Sequence, residues 1–178
     1  MKYGIEVGNL SSTDKDVLLK KRKIWNGDKL EVGQILNGTV KEIKKYGVFV
    51  ELEQGDTGLI YIEDLSVARI KRPTERVQIG QKIKVVVKYI DEYQKRINLS
   101  YKELLGTWEE NANKFAEGTT VKGIVRETEK YNNGIFIELT PNLVGLAEYK
   151  EGMEYGQNVD VYIKRIIPDK HKVKLIIV

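Results

Sequence analysis

The sequence predicts an all-β protein in which two small five-stranded barrels follow one another, joined by a short α-helix. Two observations carry this prediction. The first is an internal repeat: YGVFVEL at residues 46–52 returns as NGIFIEL at 133–139, and Gly58 returns as Gly145 with the same offset of 87 positions. A constant offset with matching chemistry indicates a repeated unit. The second is the alternation of apolar and polar residues within each repeat, which is typical of half-buried strands.

The first repeat contains five predicted strands. Over residues 83–89 every second residue is apolar, ending in Tyr89, and these residues are predicted to share the inner face. Pro73 argues against a strand in the long connection 63–80. Five short strands with one long connection fit a closed barrel of the OB type. The predicted strands are 35–44, 47–52, 57–62, 81–90 and 96–101.

A linker helix is predicted between the repeats. Thr107 and Glu110 have the spacing of a capping box. Trp108, Ala112 and Phe115 then fall on one face of a helix. The linker is therefore expected to bury one apolar face.

The second repeat keeps the strand pattern in a shorter form. Its counterpart of Arg96 is Lys172, only 76 positions later, so 11 residues are missing, and they fall in the connection between the third and fourth strands. The predicted strands are 119–127, 134–139, 143–147, 157–166 and 172–177. The expected organisation is an N-terminal extension with a short helix (1–28), a first barrel (29–104), a linker helix (105–117) and a second barrel (118–178).

The composition limits which functional classes are compatible with this chain. The chain has 178 residues, of which 41% are hydrophobic and 31% charged, with a mean hydropathy of −0.39. No apolar run is long enough to span a membrane, and the start lacks the apolar stretch of a signal peptide, so we expect a cytoplasmic protein with no membrane partner. The absence of cysteine excludes disulfides, thiolate zinc sites and cysteine nucleophiles. A net charge of +4 and a pI near 9.0 permit nucleic-acid binding without requiring it.

The strand at 47–52 places an aromatic side chain on its outer face. Val48, Val50 and Leu52 form the buried side, because Glu51 would not be buried without a partner. Phe49 therefore points outward.

Two tyrosines join Phe49 on this face. Tyr46 precedes the strand and Tyr61 lies on the predicted neighbouring strand, so three rings could stack unpaired bases, each worth about 1–3 kcal/mol. The alternative is that Tyr46 and Tyr61 cap the barrel or cover the linker helix. The cations predicted to flank the rings and meet phosphates are Lys41, Lys44, Lys45, Lys88 and Arg96.

A set of motifs is distributed along the first repeat: GQILNGTVKEI from Gly33, YGVFV from Tyr46, GLIYI from Gly58 and RINLS from Arg96. This set resembles the RNA-binding domain of the bacterial ribosomal protein S-one family, and the linker WEENANKF resembles the connector between its repeats. The resemblance covers roughly residues 29–178 and is closest in the first repeat.

The resemblance implies OB barrels that bind single-stranded RNA, with no metal, cofactor or catalysis. It implies a setting in translation, with mRNA captured at the small ribosomal subunit; an accessory factor in RNA turnover or transcription is the alternative. We expect a monomer. The RNA contacts of the family map onto Tyr46, Phe49, Tyr61, Asp91 and Arg96.

The sequence departs from the usual residues of the family at positions 46, 61 and 63. The family usually has phenylalanine at position 46 and histidine at 61, and its common serine at 63 is Glu63 here, which would repel phosphate if it faced the site. Asp91 either orients Arg96 or only shapes the turn between the last two strands.

The second repeat keeps only Phe136 and the positive charge at Lys172 from this set. We expect it to bind RNA weakly or not at all. Its role as a ruler, as a stabilising partner of the first repeat or as a protein-docking surface stays open. The counterparts of Tyr46, Tyr61 and Asp91 are Asn133, Glu148 and Ile167. A different nucleic-acid face would consist of Tyr131, Tyr155, Tyr162, Lys164 and Arg165.

Residues 11–32 also resemble a connector, because Trp25 precedes Gly33 much as Trp108 precedes Gly118. The chain is therefore expected to be an excerpt of a longer array, or a product that lost its first repeat.

Two other functional classes compete. Against an enzyme, the sole histidine, His171, lies in a predicted hairpin tip, where a solvated turn residue is expected rather than a catalytic base. There is also no glycine-rich phosphate loop. A protein-interaction module is the second rival, since OB barrels also bind proteins and a fold does not fix a function.

Overall fold

The computed structural model describes residues 29–129 and 134–178. The helix predicted within 1–28, Trp25, Tyr131 and Asn133 lie outside the described residues.

The first barrel consists of five strands that close on themselves in the order β1-β2-β3-β5-β4. All neighbours are antiparallel except β3 and β5, which run parallel. The interior contains Val48, Val50 and Leu52, as predicted, together with Ile60 and Leu99. The strands are β1 (Ile35–Lys44), β2 (Gly47–Leu52), β3 (Thr57–Tyr61), β4 (Lys82–Asp91) and β5 (Arg96–Ser100).

The second barrel repeats this topology in the order β10-β8-β7-β6-β9 and is also closed. Its core includes Ile135, Ile137, Val161, Ile163 and Leu175. The predicted fold of two tandem five-stranded barrels is confirmed. The strands are β6 (Thr120–Glu129), β7 (Gly134–Thr140), β8 (Leu143–Glu148), β9 (Asn158–Ile167) and β10 (Lys172–Ile177).

Each barrel closes where a glycine allows two strands to approach. A Cβ placed on Gly58 of β3 would lie 2.4 Å from Cδ1 of Leu99 on β5. At the same place in the second barrel, a Cβ on Gly145 would lie 2.5 Å from Cδ1 of Leu175. A side chain there would push the parallel strands apart, because core side chains already fill the space. This explains why the glycine recurs in the two repeats.

The linker contains one short helix, α1 (Trp108–Ala112), which follows a 3₁₀ turn at Lys102–Leu105. The predicted capping box is present, since the Glu110 N–H donates to Thr107 Oγ1 at 3.1 Å and the Thr107 N–H donates to Glu110 Oε2 at 3.4 Å. Trp108, Ala112 and Phe115 all pack against the second core. The helix ends earlier than predicted, at Ala112, but the predicted apolar face is correct.

The long connection between β3 and β4 contains two 3₁₀ turns, Ile62–Asp64 and Pro73–Glu75, and no strand, as Pro73 predicted. Part of it lies against the second barrel. Arg76 is paired with Glu138 of β7, and Arg126 of β6 donates from Nε to the same Glu138 oxygen at 3.1 Å. All three side chains are at most 7% exposed. The residues that the second repeat lacks thus fall in the segment through which the first barrel contacts it.

Glu75 is the second centre of this inter-barrel network. Its carboxylate accepts hydrogen bonds from Tyr155 Oη at 2.6 Å and from Arg126 Nη1 at 2.9 Å. It also accepts from the backbone N–H groups of Lys71 at 3.0 Å and Arg72 at 3.2 Å. Burial disfavours the charged carboxylate, but these donors and the Arg126 charge outweigh burial and lower the pKa of Glu75.

A second contact between the barrels involves Asn142, at the turn between β7 and β8. Its side-chain amide donates to the carbonyl oxygens of Lys102, in the 3₁₀ turn after β5, at 2.8 Å and of Gly106, in the linker, at 3.1 Å. The two barrels are therefore joined through the linker and through the β3–β4 connection.

We expect Arg126→Ala to lower the free energy of unfolding by about 3–5 kcal/mol, because it leaves Glu138 charged and buried with one partner fewer. Lys122→Ala is the matched control on the same strand. Lys122 pairs with Asp160, but the two side chains are 85% and 50% exposed, so we expect a loss below about 1 kcal/mol. Urea unfolding measures both, and equal losses in the two variants would contradict a buried network.

Glu75 also predicts a pH dependence. Because its folded pKa is lowered, its contribution is complete above the pKa of an unfolded glutamate, about 4.3. That contribution is lost as the pH falls through the folded pKa. We expect Glu75→Gln to be less stable near neutral pH and to lose less further stability on acidification than the parent. The exposed Glu151→Gln variant serves as control. Parallel stability curves for Glu75→Gln and the parent would exclude this role.

Candidate nucleic-acid interface

Four outward side chains of the first barrel lie in one row across its strands. Phe49 on β2 is in register with Leu59 on β3, Leu59 with Asn98 on β5, and Asn98 with Tyr89 on β4. Phe49, Leu59 and Asn98 are half-buried and Tyr89 is exposed. The row begins and ends with an aromatic ring.

The two predicted tyrosines extend this surface at the Phe49 end. Tyr46 is 50% exposed, and its ring centroid lies 6.3 Å from that of Phe49 with the planes at 88°. Tyr61, 37% exposed, is in register with Gly47, the residue after Tyr46. The N–H of Ile62 donates to the Tyr46 carbonyl at 2.9 Å, which fixes the two tyrosine positions beside each other. Both tyrosine rings are therefore open to solvent at this end of the row.

Tyr89 was predicted to lie on the inner face, and this prediction is wrong. A β-bulge at Lys88 shifts the register between Val87 and Tyr89, so Tyr89 points outward and is 55% exposed. The sequence signal is a change of parity, because the inner residues Val85 and Val87 are followed by Ile90 rather than by residue 89. The bulge adds a ring to the row that alternation alone does not reveal.

Asp91 and Arg96 face each other across the β4–β5 hairpin, where they are in register. Asp91 Oδ1 accepts hydrogen bonds from the backbone N–H groups of Tyr93 at 3.0 Å and Gln94 at 3.1 Å. Arg96 is exposed and makes no ion pair with any described residue. Asp91 therefore shapes the turn, while the guanidinium of Arg96 stays available to a ligand.

The predicted lysines differ in their partners. Lys88 Nζ donates to Asp64 Oδ1 at 2.7 Å, and this hydrogen bond raises the pKa of Lys88. Asp64 is nearly buried, so Lys88 is held toward the barrel.

The other lysines lie on or next to β1. Lys41 pairs with Glu51 at 3.2 Å and Lys44 with Glu42 at 2.7 Å, but all four side chains are about half exposed, and such pairs are weak. Lys45 is exposed and unpaired among the described residues.

The second barrel has the same row with different chemistry. Phe136 on β7 is in register with Leu146 on β8, Leu146 with Lys174 on β10, and Lys174 with Arg165 on β9. Two cations thus replace Asn98 and Tyr89. Phe136 is half-buried, while Lys172 and Glu148, which replace Arg96 and Tyr61, are exposed.

The remaining site hypotheses concern His171 and metal binding. His171 stacks on Trp108 with ring centroids 4.9 Å apart, and its Nε2 lies 2.8 Å from Glu109 Oε1. It thus attaches the β9–β10 turn to α1 instead of being only solvated. Within residues 29–129 and 134–178, no group of three or more acidic, cysteine or histidine side chains is arranged to hold a metal ion. None of the helices in these ranges is both long and apolar enough to cross a bilayer.

Comparison with known proteins identifies relatives of this chain. Residues 29–102 match the S1 RNA binding domain family. The small ribosomal subunit protein bS1 of Rickettsia conorii is 32% identical over 186 residues, covering 96% of this chain and 32% of that protein. The bS1 homolog of Bacillus subtilis is 31% identical over 158 residues, covering 82% of this chain and 41% of that protein.

A third relative has an enzyme's name. The 4-hydroxy-3-methylbut-2-enyl diphosphate reductase of Clostridium acetobutylicum is 32% identical over 176 residues, covering 89% of this chain and 27% of that protein. The chain thus spans 27 to 41% of the length of these three relatives.

The geometry of Asp91 predicts different effects for two substitutions. Asp91→Ala removes the acceptor of two turn hydrogen bonds and should lower stability by about 1–2 kcal/mol. Asp91→Asn keeps a side-chain oxygen and should cost little. Thermal unfolding of both variants checks this, and equal destabilisation by Asn and Ala would show that the charge, rather than the turn, is what matters.

Proposed function

We propose that this chain, whose residues 29–102 match the S1 RNA binding domain family, binds single-stranded RNA on the outer face of its first barrel. The observation that carries the proposal is the presence of four outward-facing aromatic rings on one barrel face, three of them exposed. Tyr46, Phe49 and Tyr61 lie at one end and Tyr89 at the other. The family match covers all five strands of this barrel.

The chemistry of the face predicts a preference for single strands. Each ring can stack on the face of a base only when that base is not already stacked and paired in a duplex. Stacking accepts any base, so little sequence specificity is expected. Arg96 and Lys45, unpaired among the described residues, supply positive charge for phosphates, and Lys41 and Lys44 can exchange their exposed partners for phosphate oxygens.

The cellular role proposed is mRNA binding in translation at the small ribosomal subunit, in the cytoplasm. The bS1 relatives support it, since their names place them in that subunit. The protein is proposed to act as a monomer without catalysis, metal or cofactor. An accessory factor in RNA turnover or transcription stays the alternative, and it would use the same surface.

Fluorescence anisotropy with labelled single-stranded and double-stranded RNA tests the proposal. We expect tighter binding of the single strand, with a log–log salt slope of about −0.7 for each phosphate contacted. Failure to bind either RNA at low salt would overturn it.

The rings make a sharper prediction. Phe49→Ala with Tyr61→Ala should weaken RNA binding by about 2 kcal/mol or more, roughly thirtyfold, because two stacking partners are lost. Tyr89→Ala alone should weaken it by about 1 kcal/mol or more. Tyr162→Ala removes an exposed tyrosine of the second barrel and should have no effect. If Tyr162→Ala weakens binding and the first-barrel variants do not, RNA binds elsewhere.

A further inference from the structure

A large groove lies on the second barrel, on the face that corresponds to the aromatic row of the first. Strands β8 and β10 form its floor, and Val67, Ala68 and Arg69 of the β3–β4 connection form one wall. Its volume is about 1320 Å³. This exceeds the range of about 300–1,000 Å³ for small-molecule sites, so the groove has room for a segment of polypeptide or nucleic acid.

The exposed apolar surface in the groove is aliphatic. Leu146 is 44% exposed, Ile176 45% and Val67 50%. Three further rings border the groove: Trp108 stacks on His171, and Phe136 and Tyr149 are half-buried, so none of the three is fully exposed. Aliphatic side chains offer no stacking surface to a base, but they do bind the aliphatic side chains of a peptide.

The charges of the groove are mainly positive and uncompensated. None of its four exposed lysines forms an ion pair with a described residue, whereas Arg69 pairs with Glu127 at 3.3 Å. Glu148 is the exposed carboxylate that opposes them. The lysines are Lys150, Lys164, Lys172 and Lys174.

We infer that this groove binds an acidic protein segment whose aliphatic side chains contact Leu146, Ile176 and Val67 while its carboxylates meet the lysines. The comparison between the two barrels favours a peptide over RNA. Where the first barrel has Tyr61 and Tyr89, the second has Glu148 and Arg165. At these two positions the second barrel has therefore lost both stacking rings and gained one carboxylate and one cation, and a base has fewer rings to stack on. The inference is independent of RNA binding by the first barrel.

The test uses the full chain and a fluorescein-labelled peptide of about eight residues, roughly 26 Å when extended, in which glutamate and aspartate alternate with leucine and isoleucine. A second peptide of equal length and charge has serine in place of leucine and isoleucine. Labelled oligouridine is the third probe. The lysine variant is Lys172→Glu with Lys174→Glu, and the apolar variant is Leu146→Ser with Ile176→Ser. The matched control, Lys82→Glu with Lys84→Glu, changes two exposed lysines with the same spacing on β4.

We expect the aliphatic acidic peptide to bind the parent chain and the β4 control equally. Both groove variants should weaken its binding at least about tenfold, since central interface residues carry most of the affinity, and the serine peptide should bind at least about tenfold more weakly. Equal affinity for the two peptides would overturn the inference, because attraction would then be charge alone. It would also be overturned if no peptide bound. A third outcome would also overturn the inference. In a chain carrying Phe49→Ala and Tyr61→Ala, oligouridine would still bind, and adding Lys172→Glu with Lys174→Glu would abolish that binding. The groove would then be an RNA site.

Discussion

The close approach of two parallel strands, β3 with β5 and β8 with β10, is the constraint on which the rest of the structure depends. It is permitted by a glycine that leaves room for one leucine, Gly58 for Leu99 and Gly145 for Leu175. The pairing is short, only two residue pairs in each barrel, yet without it each sheet would have open edges. It also sets Leu59 beside Asn98, and so connects the Phe49 end of the outer row to the Tyr89 end. Barrel closure and the outer row are therefore consequences of the same contact.

The two barrels share a backbone plan but have diverged on the outer face and in one connection. The outer row keeps phenylalanine and leucine and changes its other two members from Asn98 and Tyr89 to Lys174 and Arg165. Core positions are constrained by close packing, whereas side chains on the outer face can change without disturbing the core. The β3–β4 connection supplies Glu75 and Arg76 to the network around Arg126 and Glu138. Among the roles left open for the second repeat, a stabilising partner of the first agrees best with this network.

Most of the fold was predictable because its signals are local. Alternation located the ten strands of residues 29–129 and 134–178 to within two residues at each end, and the constant offset of 87 positions revealed the repeat. Phe49 was predictable for the same reason, since Val48 and Val50 fix its direction. The features that were not predicted depend on geometry that the alternation of apolar and polar residues does not encode. The bulge at Lys88 turned Tyr89 outward. The pairs Arg126–Glu75 and Lys88–Asp64 join residues far apart in sequence, and no local pattern marks them as partners. His171 was placed in the correct turn, but its stacking on Trp108 depends on how the linker packs.

The two repeats contribute unequally to the inter-barrel network, so their order along the chain matters. The connection that contacts the neighbouring barrel belongs to the first repeat, and the second repeat lacks the corresponding 11 residues. The repeats are consequently not interchangeable modules: with their order reversed, the short β8–β9 connection would have no Glu75 or Arg76 to offer the barrel that follows. If copies of this pair followed one another in a longer chain, the inter-barrel network would form within each pair and would be missing between one pair and the next. Each pair would then move as one rigid unit. The length of the connection between the third and fourth strands would determine which neighbouring barrels can move relative to each other.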